Sequence, residues 1–213
     1  SRLLRAKANI IAKRDGQTPM VKETLERAIE INPGDNAARL ALAEHHLAAG
    51  QRELAEETFI ALAKRTGTYP GLTGPLGRIY LRRGDLEKLE KLLGGRLTDE
   101  AASDEILLTG AMLRLHQDKH EEALALADRV LARSAASWEG HLARGRVLFA
   151  QGEFDAALIE LEQARPSEPN ATVELWLGRT LEETGDERGA TKHFASAVQL
   201  EPGNPEAGAY YAR

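Results

Sequence analysis

Glycines fall at positions 16, 50, 84 and 152, intervals of 34, 34 and twice 34; Asp118 takes the vacant beat and Gly185 resumes the series one residue early. A spacing that persists along nearly the whole chain means that one short unit is copied and stacked. Such a unit cannot enclose a core alone, so neighbouring copies must bury each other's apolar faces. The period therefore overrides the one or two ordinary domains that 213 residues would suggest.

Composition agrees with stacked helices. Hydrophobic residues make up 42% and aromatics only 5%, with Ala and Leu dominating, a mix that suits helices packed closely through small residues rather than a β-rich core. A net charge of −5 argues against a general attraction to nucleic acid or anionic lipid. The absence of cysteine excludes disulfides and thiolate metal sites without separating cytoplasm from periplasm. No apolar run approaches the roughly 18–20 residues of a membrane helix, and no signal-peptide pattern is visible. The expectation is a soluble chain of either compartment. Arg outnumbers Lys by 20 to 8, a hint of a GC-rich bacterial genome.

Aligned on the glycines, the chain divides into units 2–35, 36–69, 70–103, 104–137, 138–170 and 171–204, followed by a partial capping helix at 205–213. Each unit reads as helix, tight turn, helix. In the last, Leu177, Gly178, Leu181, Ala190, Phe194, Ala197 and Pro202 hold positions 7, 8, 11, 20, 24, 27 and 32. In the fifth, Gly145, Leu148, Ala157, Leu161, Ala164 and Pro169 fill positions 8, 11, 20, 24, 27 and 32. The pattern resembles the tetratricopeptide repeat, Leu-Gly-x2-Tyr, then Ala-x3-Phe, then Pro, and covers about residues 2–204 in register. The resemblance implies an all-α, right-handed α-solenoid of about six helix-turn-helix repeats, one solenoid domain over 1–213.

Position 8 holds Asn9, Ala43, Gly77, Ala111, Gly145 and Gly178, small enough to let the first helix approach the second. Position 20 holds Ala55, Ala123, Ala157 and Ala190, with Val21 and Leu89 as larger exceptions. The periodic glycine ends the first helix in a left-handed conformation, which Asp118 also tolerates. Thr18-Pro19 reads as N-cap and first residue of a helix, and Pro33, Pro169 and Pro202 as stops for the second helices. Trp176 stands two residues past the family's tryptophan position and is not counted as a match. Unit three is the least regular: Gly71, Gly74 and Pro75 shorten its first helix, and Gly94-Gly95 interrupt its second. A mid-helix glycine costs about 1 kcal/mol relative to alanine.

Catalytic motifs find no footing. His116 and His120 are four apart, but the Asp118 turn separates them, and no His-Glu-x-x-His run exists. Gly71-x-x-Gly74-x-x-Gly77 lacks the strand and the Gly-Lys-Ser/Thr ending of a phosphate loop. The pairs Glu56-Glu57, Glu121-Glu122 and Glu182-Glu183 read as solvated helix faces. A non-enzymatic chain without cofactor or metal is expected.

In the family, positions 2, 5, 9, 12 and 13 of the first helix line a concave groove. Position 5 here reads Ala6, Leu40, Gly74, Leu108, Leu142 and Leu175; position 12 reads Lys13, Leu47, Leu81, Leu115, Phe149 and Glu182; position 9 reads Ile10, Glu44, Arg78, Met112, Arg146 and Arg179. The resemblance thus implies a peptide-binding face of Arg78, Leu108, Met112, Leu142, Arg146, Phe149, Leu175 and Arg179, with arginines able to hold a carboxylate or backbone carbonyl. The Lys-5 and Asn-9 pair with which some members grip chaperone tails is absent. The expected function is a scaffold that holds a protein or peptide partner, in a bacterial envelope or another multiprotein assembly. A regulatory arm of a larger enzyme, such as a glycosyltransferase or kinase, is the alternative, as is a self-assembling protein that associates through its C-terminal end near Tyr210 and Tyr211.

Overall fold

The computed structural model describes residues 1–16, 18–67, 71–166 and 168–212, and the periodic residues turn the backbone at every beat. Positive φ runs through Gly16, Gly50, Gly84, Gly152 and Gly185, and Asp118, at 57°, is the single non-glycine residue with positive φ among the described residues. After each of the last five beats the next amide donates across six residues: Gln51 to the His46 carbonyl, Asp85 to Tyr80, Lys119 to Arg114, Glu153 to Leu148 and Asp186 to Leu181, all at 2.8–2.9 Å. This bond satisfies a helix-end carbonyl and reverses the chain in the fewest residues. The first beat departs from the expected left-handed turn, because Gly16 combines φ 76° with ψ −163°, and its amide returns only to the Ala12 carbonyl.

Those turns separate thirteen α-helices among the described residues, with no strand. They are α1 (Arg2–Asp15), α2 (Pro19–Ile31), α3 (Asn36–Ala48), α4 (Arg52–Thr66), α5 (Thr73–Arg83), α6 (Leu86–Leu93), α7 (Asp104–His116), α8 (His120–Arg133), α9 (Trp138–Ala150), α10 (Phe154–Gln163), α11 (Ala171–Glu183), α12 (Glu187–Leu200) and α13 (Pro205–Tyr211), with a 3-10 segment at Gly94–Thr98. The boundary expected between 69 and 70 lies outside the described residues. None of the helices is long and apolar enough to cross a membrane.

Four of the first helices, α3, α7, α9 and α11, start on side-chain caps. Asp35 accepts from the Ala38 amide, Ser103 from Ile106, Ser137 from Gly140, and Asn170 from Thr172 and Val173, each satisfying an amide the helix cannot. Thr18 occupies the cap position before Pro19, but its enclosed hydroxyl makes no hydrogen bond. Helix α10 departs from expectation in stopping at Gln163, well before Pro169. Pro166 is the nearer breaker, since a proline drives the preceding residue out of helical conformation. Pro169 instead stands directly before the Asn170 cap of α11.

The chain forms two compact units, residues 1–92 and 93–213. In the first, Ala8, Ile11, Val21 and Leu25 close α1 on α2, while Phe59, Leu62, Leu72, Leu76 and Ile79 pack α4 against the start and middle of α5. In the second, Leu161, Ala164, Val173 and Leu177 join α10 to α11, and Leu175, Ala190, Phe194, Ala197 and Ala207 join α11, α12 and α13. The small residues at position 8 have a visible reason. A Cβ on Gly178 would stand 2.6 Å from the Phe194 ring, and one on Gly145 would stand 2.8 Å from Leu161. The facing residues Ala157 and Ala190 are both buried.

The third repeat is irregular, as its glycines predict. Helix α5 has 11 residues and α6 only 8, broken into the 3-10 segment at Gly94. Leu89 is fully enclosed at the position where four of the other repeats carry alanine, and the backbones of α5 and α6 approach more sparsely than in the other pairs. The segment after the break is held from a neighbouring helix. From α8, Arg129 donates to the Leu97 and Asp99 carbonyls. Arg133 donates to the Ala102 and Glu100 carbonyls, both at 2.6 Å, and pairs with Asp104 at 3.0 Å.

Candidate functional site

Positions 5, 9 and 12 of a first helix are spaced i, i+4, i+7 and share one face. On α9 they are Leu142, Arg146 and Phe149, all partly buried. Helix α7 contributes Leu108 and Met112, also partly buried, and α11 contributes Arg179. Leu175 differs: it is 4% exposed and belongs to the core cluster around Phe194, so it lies beneath the face. Leu142 also leans on the α10–α11 core.

The structure joins Arg146, Phe149 and Arg179 through Trp176. The Arg146 guanidinium lies 4.7 Å from the centre of the Trp176 rings and that of Arg179 lies 4.1 Å from it. Arg179 also stands 5.2 Å from the Phe149 ring and 5.6 Å from the Tyr210 ring. Phe149 meets Trp176 edge to face at 5.4 Å, and meets Phe154 at the same distance. Each cation over an aromatic face contributes about 0.5–2 kcal/mol, more where water is excluded. The array is thus pre-formed, with guanidinium planes and rings holding one another in place.

The two arginines differ in charge balance. Arg179 pairs with Glu206 of α13 at 3.0 Å. Arg146 has no ion-pair partner among the described residues, and its Nε is enclosed without a hydrogen bond. Burial, then the charge of Arg179, pull the Arg146 guanidinium down to about 10, with Glu206 opposing; it remains a cation at neutral pH. Burial, then Arg146, hold the His116 imidazole below its ordinary range.

Arg78 belongs to the other unit. It is exposed on α5, at the rim of a cleft of about 180 Å³ with Leu47, Arg52, Phe59 and Arg82. Beside that cleft the carboxylate of Glu56 is held by Arg82 and, at 2.6 Å, by Arg83. Among the described residues no group of three or more His, Cys, Asp or Glu is arranged to hold a metal ion.

Sequence reasoning passes over Trp176, because the family pattern places its tryptophan elsewhere. A signal is present all the same. Counted from each unit's first residue, Trp176 is position 6 of the sixth, and Tyr210 is position 6 of the partial seventh beginning at Pro205. Each is the ring over which the position-9 arginine of the preceding unit lies.

The sequence profile of the tetratricopeptide repeat matches residues 15–70 and 114–179. Anaphase-promoting complex subunit 3 of Schizosaccharomyces pombe (strain 972 / ATCC 24843) is 24% identical over 180 residues, which cover 83% of this chain; the chain spans 27% of that relative's length. Among solved structures, PilW, described as a widely conserved type IV pilus biogenesis factor, superposes with a TM-score of 0.71 at 15% identity, covering 98% of this chain and 96% of that one. PilF of Pseudomonas aeruginosa gives 0.63 at 18% identity, covering 99% and 96%. At such identities these structures share the fold and nothing narrower.

Proposed function

The chain belongs to the tetratricopeptide repeat family, whose members are generally non-enzymatic scaffolds for protein or peptide partners, and from that premise we propose that its own partner segment docks on the first-helix face of α7, α9 and α11. The observation that carries this reading is the pre-formed array of Arg146, Trp176, Phe149 and Arg179, with Leu108 and Met112 of α7 and Leu142 of α9 partly buried at the corresponding first-helix positions. Aromatic and arginine side chains with little freedom left to lose make strong contact points. The apolar residues bury a partner's side chains and the arginines fix its direction through charge-assisted hydrogen bonds. Arg78, exposed on α5 of the first unit, is a separate candidate of the same chemistry.

The setting we infer is a multiprotein assembly, in a bacterial envelope. Support comes from the arginine-rich composition and from a fold shared with PilW, a protein described as a type IV pilus biogenesis factor. The test is affinity capture from the source lysate with wild type, Phe149→Ala and the triple Arg78/Arg146/Arg179→Ala variant, followed by titration of the purified partner. Phe149→Ala is expected to weaken binding with little dependence on salt, and the triple variant to weaken it in a salt-dependent way. Native affinity in both variants sinks this reading.

A further inference from the structure

The position-9 arginines of the last two repeats each lie over the position-6 ring of the unit that follows, although Arg179 also reaches Trp176 and Phe149 while Arg146, among the described residues, reaches Trp176 alone. Arg179 lies over the position-6 ring of the following unit, Tyr210, and pairs at 3.0 Å with Glu206, position 2 of that unit. Arg146 likewise lies over the position-6 ring of its following unit, Trp176. There position 2 is Thr172, which brings no carboxylate. The Arg146 guanidinium consequently has the stacking partner and lacks the acid, with its Nε enclosed and unbonded.

We propose that Arg146 is the receptor for a side-chain carboxylate of the docked partner, a Glu or Asp flanked by apolar residues, which takes the place at Arg146 that Glu206 takes at Arg179. The proposal rests on the docking face described above and names the acid it recognises. A cation that is partly removed from water and crowded by a second cation lacks the compensation that buried charges normally have. A planar guanidinium held by an indole is pre-organised for a carboxylate. Glu206 fixes the choice of source, because the acid already seated in the equivalent place is an internal side chain of a helix, not a chain terminus. Phe149, on the same helix as Arg146, and Met112, at position 9 of α7, supply apolar surface for the acid's neighbours.

The intact chain carrying Trp138→Phe, so that one indole N–H signal remains, is labelled with 15N and titrated with the capped peptide acetyl-Ala-Leu-Glu-Ala-Leu-amide. Its Gln counterpart, and the Gln peptide with a free C-terminal carboxylate, serve as the other arms. The expected result is a saturable shift of the Trp176 indole with the Glu peptide, and affinity roughly tenfold weaker for both Gln peptides, the scale of one charge-assisted hydrogen bond. Arg146→Gln should abolish that preference. Thr172→Glu, which leaves Arg146 in place and offers it an internal acid, should abolish it as well while raising the thermal midpoint. Equal response to the Glu and Gln capped peptides, including none, overturns the proposal, as does a preference for the free C-terminus or a preference that survives both variants. If partner capture depends on Phe149 while the carboxylate preference is missing, the docking face stands and the role of Arg146 falls.

Discussion

His141 Nδ1 lies 2.8 Å from Glu160 Oε2, tying the first helix of the fifth repeat to its second, and the sixth repeat makes the same tie with the residues exchanged. There Glu174 on α11 meets His193 Nδ1 on α12, again at 2.8 Å. Both pairs join repeat positions 4 and 23. The geometry of the helix pair therefore specifies a donor and an acceptor at this place without specifying which helix carries which.

From this exchange comes a double-mutant prediction. His141→Glu sets two carboxylates together in a largely enclosed place and should destabilise by about 2–4 kcal/mol. Adding Glu160→His should recover at least half of that loss. Full recovery is not expected, because His141 Nε2 also contacts the Ala135 carbonyl at 3.0 Å. Urea denaturation of the two single variants and the double variant provides the check; a double variant no better than the worse single one contradicts the equivalence.

Gly178→Ala should cost about 1–3 kcal/mol by overpacking, since the new methyl would meet the Phe194 ring at 2.6 Å. Ala157→Leu and Ala190→Leu press on the same kind of seam from the other helix and should cost a similar amount. Unchanged denaturation midpoints for all three would mean that the paired helices can slide apart freely.

Amide exchange should be fastest in the middle of the chain. Helix α6 and Gly94-Gly95 have few close backbone neighbours, and low local contact gives low opening free energy. Residues 97–104 should be better protected, because Arg129 and Arg133 hold their carbonyls. Arg133→Ala should selectively speed exchange there. Uniform protection from α3 to α12 would remove the basis for a soft third repeat.

Stability should fall in mild acid through His45. Burial holds its imidazole below the ordinary histidine range, and the charges of His46 and Lys22 add to this. A depressed folded value means that the unfolded chain binds the proton more readily. The contribution is present above the unfolded value of about 6.5 and is lost as pH falls through the folded one. Thermal midpoints should therefore drop between about pH 7.5 and pH 5.5, and the drop should shrink in His45→Gln. A His45→Gln profile parallel to wild type would exclude this residue.

The repeat unit was legible in the sequence because everything that defines it is local. A positive-φ residue closes each turn, joined in the last five by a six-residue hydrogen bond, and Asp118 kept the beat because aspartate enters the left-handed region more readily than most side chains. Small residues at positions 8 and 20 were legible as well, since paired helices must approach wherever the chain reverses. The weak third repeat followed from glycines that cost helix propensity in any context. The site was legible only in part. Arg146, Phe149 and Arg179 could be placed on one face by counting, but counting along one helix does not say what the next helix brings to it. That Trp176 links them, that Leu175 sinks into the core, and that Glu206 neutralises one arginine and leaves the other were decided by tertiary structure. The contacts that cross from one repeat to the next join residues about 27–31 apart, and their distances depend on how successive helix pairs are offset, a packing outcome to which no single spacing in the sequence corresponds.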